Sequence, residues 1–174
     1  MDMPIFLSPT AMQSLYHPDG DKASARAAEK FGTIYSMSTM ASFSIEEIAN
    51  LSSGPKIFQL YIHKDQSITD DLIDRCKRAN FNGMCITVDT IVAGNRERDH
   101  RTGFTTPPKF TLDSLMSFAM RPQWVFNYFT NKKFELANLK DKVEKGTNIA
   151  QSVMGYINEQ YDPCLLYTSP SPRD

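Results

Sequence analysis

Cysteine is scarce in this chain of 174 residues: only Cys76, Cys85 and Cys164 are present. Cys76 falls on a helical stripe and Cys85 inside an apolar run, so both are expected to be buried thiols rather than a disulfide pair, in a reducing compartment. Histidine is as rare, and His17, His63 and His100 lie far apart in polar surroundings. They form no cluster with metal-ligand spacing, and each is expected to be a solvated loop residue. Excess charge of either sign is missing too, with a formal net charge of -1, which argues against nucleic acid as the main partner. No uninterrupted apolar run approaches the ~18 residues of a membrane-spanning helix, and no signal peptide is visible at Met1. The expected location is cytoplasmic. With 22% charged and 41% hydrophobic residues, the composition is that of a globular protein of one-domain size.

What is present is a repeating alternation of strand and helix signals. The stretch from Lys56 to Arg98 shows it most clearly. Ile57-Phe58-Gln59-Leu60-Tyr61 is a short apolar run with polar or glycine boundaries, as is Met84-Cys85-Ile86-Thr87-Val88-Asp89; both suit strands covered on two faces. Between them, Ser67 to Asn80 places Ile68, Leu72, Cys76 and Ala79 at helical spacing. Ser67 with Asp70 resembles a capping box. Arg75, Lys77 and Arg78 crowd the last turn, where cations suit the helix dipole, and Asn80 and Gly83 are expected to end it. The second run leads into the polar string Gly94-Asn95-Arg96-Glu97-Arg98.

The same pattern precedes it. Met3 to Ser8 is expected as a strand, Pro9-Thr10-Ala11-Met12 as a loop and His17-Pro18-Asp19-Gly20 as a turn. Lys22 to Phe31 is an alanine-rich helix ending at Gly32, Thr33 to Ser38 a second strand, and Ser44 with Glu47 a capping box on a short helix. Gly54-Pro55 turns the chain into the third strand. Four successive strand–helix units specify a parallel α/β architecture. They leave an open doubly wound sheet and a closed barrel as alternatives, and a complete eightfold barrel needs about 250 residues.

After Arg98 the pattern dissolves. Thr105 to Lys109 is polar and contains Pro107-Pro108, and Phe110 to Phe134 is aromatic, with Phe118, Trp124, Phe126, Tyr128 and Phe129. This stretch is either a surface helical hairpin burying its rings on the domain, or, with Lys132 and Lys133 beside it, a contact for a membrane surface or partner subunit. Asn148 to Gln160 is expected as one more helix. Cys164 to Asp174 looks like in-frame translation of a transposase sequencing adapter, so residues 164–174 are expected to lie outside the fold, with the natural chain interrupted near Pro163.

Side-chain alternation places Ser36 with Ser38, Gln59 with Tyr61, and Cys85 with Thr87 and Asp89 on matching faces. In parallel α/β proteins, sites form at the C-terminal ends of strands. Ser38, Gln59 and Thr87 would there make a row of neutral donors and acceptors suited to the imide edge of a flat heterocycle, with Tyr61 and Asp89 just above. The alternative for any one of them is an ordinary capped strand end.

Ser8-Pro9-Thr10-Ala11-Met12-Gln13, Ser38, Phe58-Gln59-Leu60-Tyr61 and Thr87-Val88-Asp89-Thr90, with Arg96 beyond, resemble the FMN-dependent α-hydroxy acid dehydrogenase family. The resemblance runs from about Asp2 to Pro163. Arg121 to Trp124 and Gly146 to Pro163 are most similar to its bacterial L-lactate dehydrogenases. The resemblance implies a parallel (β/α)8 TIM barrel, of which residues 1–163 would supply about the first four βα units and the long loop after strand four. It implies FMN as cofactor, with Pro9, Thr10 and Ala11 approaching the flavin through their backbone and Ser38, Gln59 and Thr87 bonding the ring. Tyr61 would donate to substrate, Asp89 would stabilise a catalytic histidine as it becomes cationic, and Arg96 would add positive charge.

The implied reaction oxidises an L-2-hydroxy acid, with L-lactate expected, to the 2-oxo acid. Electrons pass on to a quinone, a cytochrome or oxygen. A homo-oligomer, with peripheral contact to the inner face of the cell membrane through residues 110–134, is expected when the barrel is complete. The family's base histidine, substrate arginine and phosphate-binding strands have no matching positions before Pro163, and Met40 stands where glycolate oxidases carry tryptophan. The chain as written is therefore expected to be inactive and to bind FMN weakly or not at all, with aggregation-prone open strand edges. Two other readings stand beside this one: another FMN-binding barrel, an isomerase or dinucleotide-linked dehydrogenase, and a non-catalytic membrane- or partner-binding module built on the aromatic stretch.

Overall fold

The computed structural model describes residues 2–88, 97–102, 111–130, 135–139 and 161. Strands β1 (Phe6–Leu7), β2 (Ile34–Ser38), β3 (Lys56–Tyr61) and β4 (Gly83–Thr87) alternate with helices α1 (Gly20–Lys30), α2 (Ile45–Leu51) and α3 (Gln66–Arg78). Further helices are α4 (Glu97–Thr102), α5 (Leu112–Ala119) and α6 (Pro122–Thr130), and a 3-10 turn spans Gln13–Leu15. All strand pairs are parallel, in the order β1-β2-β3-β4. A right-handed crossover that always steps in one direction returns every helix to the same face of the sheet. A doubly wound sheet reverses its order to fill both faces; this one does not, so the arrangement is that of consecutive barrel units.

The two sheet faces differ as the alternation requires. Tyr35 and Met37 of β2 and Phe58 and Leu60 of β3 are buried with Ala25 and Ala28 of α1, Ile45 and Ile48 of α2, and Leu72 and Cys76 of α3. Each large apolar side chain so buried contributes about 1.5–3 kcal/mol. The other face carries Ser36, Ser38, Gln59 and Thr87. Ser44 caps α2 as expected: its hydroxyl accepts from the Glu47 N–H while the Glu47 carboxylate accepts from the Ser44 N–H. Gly32 adopts φ 59 after α1, the left-handed value that glycine tolerates.

Several expectations need correction. The cap of α3 is Asp65, not Ser67; its carboxylate accepts from both the N–H and the hydroxyl of Ser67. Asn80, at φ 54, ends α3, whereas Gly83 already belongs to β4. β1 is two residues rather than the whole of Met3 to Ser8. Cys85 is exposed on β4, the edge strand of the described sheet, while Cys76 is buried as expected. The stretch after Arg98 is largely helical where it is described. Residues 105–109 and 148–160 and the adapter-like 164–174 lie outside the described residues.

One long-range clamp fastens the helical layer. Arg75 of α3 binds both oxygens of Glu46 of α2, at 2.7 and 2.8 Å, and reaches the carbonyl and side-chain oxygens of Asn138, each at 3.3 Å. Asn138 Oδ1 also accepts from the Ile45 N–H at 3.0 Å, and Leu136 and Leu139 join the core on either side. The guanidinium holds the Glu46 carboxyl down to about 2. Replacing Arg75 with alanine is expected to lower the unfolding free energy by about 1–3 kcal/mol. A reduced urea midpoint, with faster amide exchange at Leu139, is the measurement.

Candidate functional site at the strand ends

The polar face of the sheet converges where the sequence pattern places it. Register sets Ser38 beside Gln59, Gln59 beside Cys85 and Tyr61 beside Thr87. The Ser38 hydroxyl donates to Gln59 Oε1 at 3.3 Å, and Gln59 Nε2 donates to Thr87 Oγ1 at 2.6 Å. Three strand ends are thus joined by one row of neutral side chains. The Thr39 N–H also donates to Gln59 Oε1, at 3.4 Å, which fixes the amide with its oxygen toward β2 and its nitrogen toward β4. Ser38 Oγ accepts from the Met40 N–H at 3.2 Å. Among the described residues, this leaves the second Nε2 hydrogen of Gln59 and the hydroxyl hydrogen of Thr87 without a protein acceptor. Gln59 is only 5% exposed, so its amide is held in place before any ligand arrives.

Thr39 is a participant that the sequence reading missed. Its hydroxyl donates to the Gln59 carbonyl at 2.6 Å and accepts from the Tyr61 N–H at 3.2 Å. It thereby carries β2–β3 pairing one step past the end of β2. Two adjacent hydroxyl residues closing an apolar strand were the available signal.

Tyr61 stands one level above the row, half-buried, with its ring stacked on Tyr161 at 4.6 Å between centroids. Tyr161 also meets His63 edge-on at 5.3 Å and forms an isolated antiparallel bridge with it. His63 therefore departs from the expectation of a solvated loop residue: it is 0% exposed. Burial pushes its imidazole down to about 4, against an opposing pull from Asp65, so it is neutral near pH 7. His17 is exposed as expected, and His100 falls within α4.

Pro9 and Thr10 are exposed and Ala11 is half-buried, in the loop between β1 and the 3-10 turn. Met12, the next residue, has φ 55, an uncommon value for a side chain of this size. Its N–H donates to the Met40 carbonyl at 3.0 Å, which joins this loop to the end of β2. Met40 itself is buried. Asp89 and Arg96 lie outside the described residues. The structure thus brings Ser38, Gln59, Thr87 and Tyr61 together and seats the Pro9–Ala11 loop beside the β2 end.

The aromatic stretch forms a helical hairpin that divides its rings. Trp124 turns inward: its indole N–H donates to the Leu15 carbonyl at 2.9 Å, and its ring stacks on Phe118 and Tyr128. Leu112, Met116, Met120, Phe126 and Phe129 face solvent, Leu112 at 85% and Phe129 at 79% exposure. No described helix is long and apolar enough to cross a membrane.

Comparison with known proteins agrees with the fold. Glycolate oxidase 1 of Zea mays is 46% identical over 115 residues, covering 66% of this chain and 31% of that protein. Glycolate oxidase 3 of Oryza sativa subsp. indica is 41% identical over 168 residues, 97% of this chain and 40% of that protein. The crystal structure of the monotopic membrane protein (S)-mandelate dehydrogenase superposes with a TM-score of 0.80 at 28% identity, over 92% of this chain and 42% of that one. The chain thus spans between 31% and 42% of the length of these proteins. Residues 1–168 match the model of one family, and with four parallel strands in barrel order beneath that match, the chain belongs to the FMN-dependent dehydrogenase family.

Proposed function

We propose that this chain supplies the flavin- and substrate-facing strand ends of an enzyme that oxidises an L-2-hydroxy acid, L-lactate foremost, to the 2-oxo acid. The supporting observation is the continuous row Ser38–Gln59–Thr87, which holds an amide and a hydroxyl in fixed orientation with one donor hydrogen each to spare. That donor set fits the polar edge of FMN. FMN, when bound, supplies a two-electron acceptor for the hydrogen on C2 of the substrate. In this reading Gln59 and Thr87 donate to the ring edge, and Ser38 keeps the Gln59 amide from rotating. Pro9, Thr10 and Ala11 line the ring with backbone. Tyr61 donates its hydroxyl to the substrate's carboxylate or hydroxyl and closes the site against water with Tyr161. Asp89 stabilises the imidazolium of the proton-accepting histidine, and Arg96 adds positive charge. The electrons leave to a quinone, a cytochrome or oxygen.

Residues 1–163 are proposed as the front portion of this enzyme, which assembles as a homo-oligomer, and the chain alone as a weak flavin binder without turnover. Sequencing the parent locus across the Pro163 codon is expected to reveal a lysine-bearing strand and then a His-x-x-Arg motif. In protein expressed from that frame, anaerobic L-lactate is expected to bleach the flavin absorbance faster than glycolate or (S)-mandelate. A frame lacking the histidine, or no bleaching by any hydroxy acid, would overturn the reading.

The hairpin supports a second element of function, peripheral attachment at the inner face of the cell membrane. Phe118, Ala119, Pro122, Val125, Phe126 and Phe129 line an apolar hollow between α5 and α6, and the outward side chains suit insertion among lipid headgroups. The mandelate dehydrogenase of similar fold is itself a monotopic membrane protein. Co-sedimentation with vesicles of phosphatidylglycerol and phosphatidylcholine is expected to fall about tenfold when Phe126 and Phe129 are both replaced by serine. Trp124→Phe, which alters an inward ring, is expected to leave binding unchanged. Equal sedimentation of the serine variant and the parent would remove the membrane role.

A further inference from the structure

A buried carboxylate lies behind the Pro9–Ala11 loop. Asp21, in the first turn of α1, is wholly buried. Its Oδ1 accepts from the Tyr35 hydroxyl at 3.0 Å and its Oδ2 from the Ser42 N–H at 2.9 Å. Ser42 in turn accepts, through Oγ, from the Ser14 N–H at 3.1 Å. Ser14 sits in the 3-10 turn that immediately follows Pro9, Thr10, Ala11 and the positive-φ Met12. The turn is pressed against the start of α1: a Cβ added at Gly20 would lie 2.9 Å from both Ser14 N and Ser14 Oγ, and Gly20 has φ 37. Gln13 Oε1 accepts from the Ser24 hydroxyl at 2.7 Å.

The loop after β1 is therefore fastened to the loop after β2 at two points, Met12 N–H on Met40 O and Ser14 N–H on Ser42 Oγ. The second point is anchored to the buried Asp21 carboxyl group. An unusual φ at a loop residue persists only where its surroundings over-determine it, and these bonds hold Met12 itself and the residue two beyond it. We propose that Ser42 and Asp21 are positioning residues, which hold the Pro9–Ala11 loop at a fixed height over the Ser38–Gln59–Thr87 row so that a flat ring fits between them. This rests on the flavin reading above. Burial raises the Asp21 pKa while its two donors oppose the rise, and the geometry stands independently of that balance.

The test uses the full 174-residue chain with Ser42→Ala, which removes the acceptor for Ser14 N–H, and Ser42→Thr, which retains a hydroxyl. Two quantities are measured: amide exchange along the chain, and FMN affinity from quenching of flavin fluorescence. Ser42→Ala is expected to speed exchange in residues 9–16 about tenfold, with α2 and α3 unchanged and the urea midpoint preserved. It is also expected to weaken FMN binding about tenfold, by about 1.4 kcal/mol, and Ser42→Thr is expected to restore both. Faster exchange everywhere, or nowhere, would overturn the proposal, as would an open loop with unaltered FMN affinity. Where the unaltered chain binds FMN too weakly to quench it, the exchange data decide the loop linkage alone, and failure of protein expressed from the parent frame to quench FMN would refute the flavin reading instead.

Discussion

Replacing Gln59 with leucine is expected to weaken FMN binding at least about 100-fold, or about 2.7 kcal/mol, while costing the fold no more than about 1–3 kcal/mol. The two effects separate because of where the bonds run. Within the protein, Gln59 Oε1 accepts from Ser38 and Thr39 and Nε2 donates to Thr87. Leucine, of similar volume, removes all three. Two of the neighbours it abandons keep other partners: Ser38 Oγ retains the Met40 N–H, and the Thr39 N–H retains the Gln59 carbonyl at 3.1 Å; the third, Thr87, is only half-buried. A bound ring has no such substitute. It loses the spare Nε2 hydrogen directly, and it loses the orientation that Nε2 imposes on the Thr87 hydroxyl. Gln59→Glu separates donor from acceptor. It keeps oxygens for Ser38 and Thr39 but has no N–H, so it too is expected to lose flavin. Quenching titrations on both variants, with urea unfolding alongside, provide the check. Flavin affinity in the leucine variant equal to that of the parent would show that the row is ordinary strand-end capping, the alternative its sequence leaves open.

The row was legible before the structure because alternation along a strand is a local rule. Ser36 with Ser38, and Gln59 with Tyr61, take their shared faces from backbone geometry alone, and parallel register then brings them level. The Ser44–Glu47 capping box and the Ile68–Leu72–Cys76 stripe were legible for the same reason. At α3 the local pattern pointed to Ser67 as the cap, but Asp65, two residues earlier, holds that place. Asp65 captures both the N–H and the hydroxyl of Ser67, so Ser67 enters the helix instead of opening it. What the sequence could not show depends on partners distant along the chain. Nothing near Trp124 indicates that its indole meets the Leu15 carbonyl, so which rings of the hairpin turn inward is a tertiary fact. Ser42 and Asp21 likewise acquire meaning only when α1, β2 and the 3-10 turn converge. The strand order, unavailable from spacing, is what separates barrel units from a doubly wound sheet.

His63 is the clearest case of distant packing overruling a local reading, and it carries a pH dependence with a definite sign. Polar neighbours suggested a solvated ring, but Tyr161 covers it, and burial lowers its pKa to about 4 from the ordinary value of 6.5. The unfolded chain takes up a proton near 6.5 and the folded chain only near 4. Between those values the unfolded state binds more protons, so stability is fully present above the ordinary value and is lost as pH falls through the window. The loss amounts to about 2 kcal/mol at about pH 5 and levels off near 3 kcal/mol below about pH 4. Other groups act differently. Asp21, with a raised pKa, gains stability on acidification, and Glu46, held at about 2, loses its contribution only as pH falls below its ordinary value of 4.5. A difference measurement isolates His63. His63→Phe keeps a ring of similar size beneath Tyr161 and leaves intact the backbone bonds from His63 N–H to Thr69 and from Gln66 to the His63 carbonyl. Urea unfolding at about pH 7 and about pH 5 is expected to show the variant losing about 2 kcal/mol less than the parent. Equal losses in the two proteins would mean that solvent reaches this imidazole, and that the Tyr161 contact closing the upper side of the Tyr61 site does not persist in solution.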